Sequence, residues 1–161
     1  MENQIIERRR SSRPAPVYPH GTYHVVLYGD DGKVKEERKG ENVVTTVGKE
    51  FLASFLRSAA LAAATFTCKY IAVGTDSTAE AIGNTALGGE LARQTGTVSY
   101  TSGGIMNVVA TLAAGVGTGA IVEYGLLSTA TAGTLFSRDT ESVINKAAGD
   151  TLVVSYQLTI G

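Results

Sequence analysis

A chain of 161 residues, 43% hydrophobic and 18% charged, can bury one core without disulfide or metal staples. Its single cysteine, Cys68, excludes a disulfide framework and a cysteine-rich zinc site, and a formal net charge of -1 lacks the basic excess of a dedicated nucleic-acid binder. The 19 glycines among many Thr, Ser and Ala residues describe strands and turns with little charge on their surface, which suits burial against neighbouring molecules.

Residues 1–21 read as an extended N-terminal arm. Arg8, Arg9, Arg10, Arg13, Pro14, Pro16, Tyr18 and Pro19 bring too few apolar side chains to pack a core, and the prolines hold the backbone extended. The first ten residues lack the apolar run of a secretory leader. The arm can neutralise phosphates, dock on an acidic protein surface or remain solvated. Docking is the expectation, because prolines reduce the entropy lost on binding.

The folded domain is expected over residues 22–161. In residues 22–28, Tyr23, Val25 and Leu27 alternate with His24, Val26 and Tyr28, which predicts a strand. Asp30-Asp31-Gly32 supplies a turn, and residues 33–39 return as a highly charged edge strand. One amphipathic helix is predicted at about residues 47–64, with Thr46 as N-cap and Phe51, Leu52, Phe55, Leu56 and Ala59 on its apolar stripe. The apolar run at residues 51–66 is broken by Ser54, Arg57, Ser58 and Thr65 and is too short to span a bilayer, so no membrane partner is expected.

From Cys68 the pattern is β. A short strand at residues 69–73 leads into a long loop, residues 74–89. Strands at 91–101 and 105–114 are joined by Ser102-Gly103-Gly104, and Met106, Val108, Ala110, Leu112 and Ala114 share a face. Strands at 120–127 and 134–139 follow, then a last one at 151–160 with Leu152, Val154, Tyr156, Leu158 and Ile160 on one side. Many short strands with turn signals between them predict a mainly β fold, an antiparallel β-sandwich carrying one α-helix.

The candidates for chemistry are weak. Gly115-Val116-Gly117-Thr118-Gly119 lies between strands and has no following Lys, so it reads as a flexible loop and not as a phosphate cradle. His20 and His24 have no nucleophile at a telling spacing and supply too few ligands for a metal. Asp30 and Asp31 lack the spacing of a calcium loop, and Asp139 and Glu141, next to Arg138, read as members of an ion pair. No catalytic, cofactor or metal site is expected.

Several segments together carry a resemblance. Tyr-Ile-Ala-Val-Gly-Thr-Asp-Ser-Thr-Ala at residues 70–79 is followed by Thr-Ala-Leu-Gly-Gly-Glu-Leu-Ala-Arg at 85–93. Glu-Tyr-Gly-Leu-Leu stands at 123–127 and Gly-Thr-Leu-Phe-Ser-Arg at 133–138, and the ending runs from Ile144 through Lys146, Gly149 and Asp150 to Ile160. In this order, over residues 42–161, they resemble a module of structural proteins of tailed bacteriophage virions. The resemblance implies a non-enzymatic virion protein, made in the host cytoplasm. It would be a capsid decoration or cement protein attached through the arm, with phage capsid or tail proteins as partners. A homo-oligomer, dimer or trimer, is expected. A tail component, as fibre base or adaptor, is the alternative; a glycan-binding module would want exposed aromatics, and Trp is absent. Arg93 and Arg138 fall where the module has arginines, and a structural role is expected for both, paired with carboxylates such as Glu90 or Glu123.

Overall fold

The computed structural model describes residues 19–57, 68–101 and 104–159. In chain order these form β1 (His20–Tyr28), β2 (Val34–Val44), α1 (Thr46–Arg57), β3 (Tyr70–Gly74), β4 (Glu90–Thr95), β5 (Thr97–Thr101), β6 (Ile105–Leu112), β7 (Gly119–Leu127), β8 (Leu135–Lys146) and β9 (Thr151–Thr159). Every ladder is antiparallel. The order is β4-β3-β7-β8-β2-β1-β9-β6-β5.

Alternation sets the faces. On β9, Leu152, Val154, Tyr156 and Leu158 are buried while the residues between them are half-exposed. On β1, Tyr23, Val25 and Leu27 enter the same core. Gly32, at φ 74°, closes the β1–β2 turn in a conformation that glycine adopts without strain. Residues 91–101, expected as one strand, split at Gly96: a side chain there would overlap Val108 Cγ1 and crowd the Lys69 and Val109 carbonyls. The chain bends instead, and the Gly96 N–H donates to the Lys69 carbonyl at 2.6 Å.

That bend decides the architecture. β4 and β5 are the two ends of the strand order, yet they are consecutive in the chain, so the sheet curls round until it nearly closes into a barrel. β2 also serves both walls, pairing with β1 over most of its length and with β8 only through Val43↔Arg138 and Val44↔Ser137. The expected mainly β, antiparallel class with one helix is what forms, but its nine strands make one sheet with shared corners and not clearly two sandwich sheets. The charged part of β2, expected at a sheet edge, stands inside the strand order, but before Val43 only β1 flanks it. Below the β2–β8 corner the two strands separate.

The helix starts one residue before the expected range, and its N-cap is Thr45 and not Thr46. Thr45 Oγ1 accepts the Gly48 N–H at 3.0 Å and its carbonyl accepts that of Lys49. Gly48 allows the helix to approach β8 closely, since a methyl group there would overlap the Phe136 carbonyl. Phe51 and Leu52 pack on the core. The part of the expected helix beyond residue 57 lies outside the described helix, and residues 58–67 lie outside the described residues. β8 extends past the expected residue 139 to Lys146, because its polar second half still sends Ile144 inward.

Candidate functional site

Two buried polar clusters sit on opposite faces of β7 and β8. On the outer face, Leu87 of the loop at residues 75–89 packs against Ala72, Leu127 and Leu135. Beside it Glu123, fully buried, accepts the N–H groups of Gly89 at 2.6 Å, Gly88 at 3.0 Å and Asp76 at 3.2 Å, and receives Arg138 Nε at 3.0 Å. Arg138 Nη1 donates to the Thr78 carbonyl at 2.8 Å and Nη2 lies 3.3 Å from the Asp76 carboxylate. Hydrogen bonds from the Thr78 backbone and hydroxyl, with Arg138 nearby, hold the Asp76 carboxyl below the usual range. Every partner of this pair comes from the loop or a neighbouring strand, so the cluster is a clamp holding the loop on the sheet.

Arg93 repeats the device at smaller scale. It forms a fork with Glu90, at 2.9 and 2.7 Å, and donates to the carbonyls of Thr129 and Ala132 at 2.8 Å each. The β7–β8 turn, where Ala132 takes a positive φ of 52°, is thus tied to β4.

The inner face holds the second cluster. Tyr23 stacks on Tyr124 with ring centroids 5.9 Å apart and planes 11° off parallel. Tyr23 is opposite Tyr156 on β9 and opposite Gly40 on β2, where a side chain would overlap its hydroxyl. Gly21 makes the same room for Asn42 and Tyr156. Tyr23, Asn42, Tyr124, Asp139 and Tyr156 line a small space, and the three tyrosine hydroxyls, Asn42 Oδ1 and Asp139 Oδ2 are buried without a hydrogen bond of good geometry. The space, about 10 Å³ measured by the centre of a water-sized sphere, is that of one water molecule. Burial, with Glu80 and Glu141 adding negative charge, pushes the Asp139 carboxyl up to about 7. Burial also raises the Tyr156 hydroxyl to about 12.

The outer face of β1, β9 and β6 is mostly half-exposed. It carries an open groove of about 540 Å³ whose lining includes Thr22, His24, Lys39, Asn107, Ser155 and Gln157. The stretch from Gln94 to Val122 contains no charged residue. Along it Val98 (41%), Tyr100 (75%) and Val109 (40%) stand exposed. This charge-free run, legible by inspection, is the signal that composition alone blurred.

Of the arm residues, Arg8, Arg9, Arg10, Arg13, Pro14, Pro16 and Tyr18 lie outside the described residues, and Pro19 is half-buried just before β1. His20 is exposed at the start of β1, and His24 Nε2 meets Glu37 at 2.9 Å. Asp31 accepts the Lys33 N–H within its own turn. The glycine loop joins β6 to β7, with Gly115 and Gly117 at φ 79° and 63°. The expected ion pair of Arg138 with Asp139 or Glu141 does not form. Adjacent strand residues point to opposite faces, which sends Arg138 out to Glu123 and Asp139 into the barrel.

Among the described residues no group of three or more His, Cys, Asp or Glu side chains is arranged to hold a metal ion, and no helix is long and apolar enough to cross a membrane. Compared with known proteins, the chain matches no family model, no curated protein and no solved structure.

Proposed function

We propose that this chain is a non-enzymatic assembly module of a tailed-phage virion, a capsid decoration or cement protein attached through its N-terminal arm. The observation that carries the reading is the charge-free run over residues 94–122, along which Val98, Tyr100 and Val109 stand exposed. A solvated face ordinarily carries interspersed charges, whereas surfaces that bury against neighbours lose them at their centre. The resemblance over residues 42–161 supplies the particle, and the arm, with Arg8, Arg9, Arg10 and Arg13, supplies an attachment segment. A protein that binds only the assembled shell stabilises it by mass action.

The test is copy number. In virions of the source phage, a stained gel calibrated with the purified chain should show roughly hundreds of copies per particle, as shell coverage requires. A few copies, or a dozen or so, would assign it to the tail instead, and absence from the virion would reject the reading. Attachment is tested in the full chain by Arg8→Ala, Arg9→Ala, Arg10→Ala and Arg13→Ala together, which should abolish binding to particles stripped of the protein.

A further inference from the structure

Strand β5 ends the sheet order: it pairs with β6, and no other described strand flanks its far side. Its five residues, Thr97-Val98-Ser99-Tyr100-Thr101, are all exposed. Register places Val98 opposite Val108 and Tyr100 opposite Met106, so these two side chains lie on the face that β6 turns to the core. They continue the core face past the last strand. Sheet edges are normally protected by charge, proline or a bulge. The unflanked part of β2 obeys this, with Lys35, Glu36, Glu37, Arg38 and Lys39. β5 has no charge and no proline, and its ladder with β6 runs without a bulge.

The five residues are also self-complementary. Laid antiparallel on itself about Ser99, the strand matches Thr97 with Thr101, Val98 with Tyr100, and Ser99 with Ser99. Aromatic–β-branched and Thr–Thr pairs are among the favourable cross-strand neighbours, and no like charges meet. A two-fold axis requires such self-matching, because the same patch serves on both subunits.

We propose that two copies of this chain associate through β5 about a two-fold axis at Ser99, joining their sheets edge to edge. Backbone N–H and C=O groups on the open edge supply the ladder, and each Val98 covers the Tyr100 of its partner. The pairing rests on the assembly reading above for its purpose. It is measured on the purified chain alone, so its failure is distinct from absence of the protein from virions.

The experiment is sedimentation equilibrium of the full-length chain and of Ser99→Lys and Ser99→Glu, with circular dichroism as the check on folding. Ser99 is exposed on an edge, so either substitution should leave the spectrum unchanged. The wild-type chain should be a dimer at micromolar concentration. Each variant alone places two like charges together at the axis and should lose the dimer. An equimolar mixture of the two should regain it, because Lys then faces Glu. A monomeric wild-type chain would overturn the proposal, as would a dimer that both variants keep. Loss of the dimer in both variants without recovery in the mixture would also overturn it, since it would remove Ser99 from the axis.

Discussion

Glu123 and Asp139 lie on adjacent strands, one step apart in the β7–β8 ladder, where Glu123 faces Thr140 and Tyr124 faces Asp139. Both are buried, at 0% and 4% exposure. Their surroundings differ completely. Glu123 has an arginine and three backbone N–H groups, whereas Asp139 has an oxygen without a hydrogen bond of good geometry among tyrosine hydroxyls. A buried charge costs little when its hydrogen-bonding capacity is filled and a great deal when it is not, so one carboxyl stays as a clamp and the other is held toward its neutral form. What separates them is one residue of strand parity.

Breaking the satisfied cluster should have the largest effect. Arg138→Ala leaves Glu123 buried without its cation and should lower stability by about 3–5 kcal/mol in urea unfolding. Amide exchange should accelerate first in the loop at residues 75–89, whose N–H groups Glu123 holds.

The unsatisfied cluster should respond to pH, and with a definite sign. Folding raises the Asp139 carboxyl from 3.8 to about 7, so between those values the native state binds the extra proton. Stability contributed by this group is therefore full below pH 3.8, falls as pH rises through that window, and is flat above about 7. The total change is at most roughly 4 kcal/mol. Asp76, Glu80 and Asp150, whose carboxyls are held low, contribute the opposite slope at acid pH. The difference between the wild type and Asp139→Asn isolates the one group. The variant should gain stability relative to wild type at pH 8 and lose that advantage at pH 4, and parallel curves would contradict the assignment.

A smaller effect tests the room made for the tyrosines. Gly40→Ala places a methyl group on the Tyr23 hydroxyl and should cost about 1–3 kcal/mol in thermal or urea unfolding. The cost should shrink in a Tyr23→Phe background, which removes the overlapping atom. Smallest of all, Arg93→Ala should cost about 1 kcal/mol, because its Glu90 partner is partly solvated.

The faces of β1 and β9 are legible in the amino-acid sequence, because alternation along a strand is a local property. The helix is legible too, within a residue of its start. Arg93 and Arg138 stand out as cations within apolar segments, but nothing local says that Arg138 turns away from Asp139. The tyrosine cluster is harder still. Tyr23, Tyr124 and Tyr156 are far apart in the chain, and the hint is only that Tyr23 and Tyr156 share the core parity of Val25 and Val154. That Gly40 stands opposite Tyr23, and that Gly21 leaves room for the Tyr156 hydroxyl, is visible only once the strands are paired. The split at Gly96 depends on Val108 and Lys69, which no window around residue 96 contains.

By itself the amino-acid sequence determined the β class, the side-chain parity of the clearest strands, the turns and the uncharged stretch that leaves β5 without edge protection. All of these depend on neighbours within a few residues. Only the tertiary structure decided that the sheet curls almost into a barrel and not into two separate layers, and which buried carboxyl meets an arginine. Those outcomes are set by strand pairing between distant segments, where a bend at one glycine and a two-residue ladder between β2 and β8 choose the walls, and the walls then choose the partners.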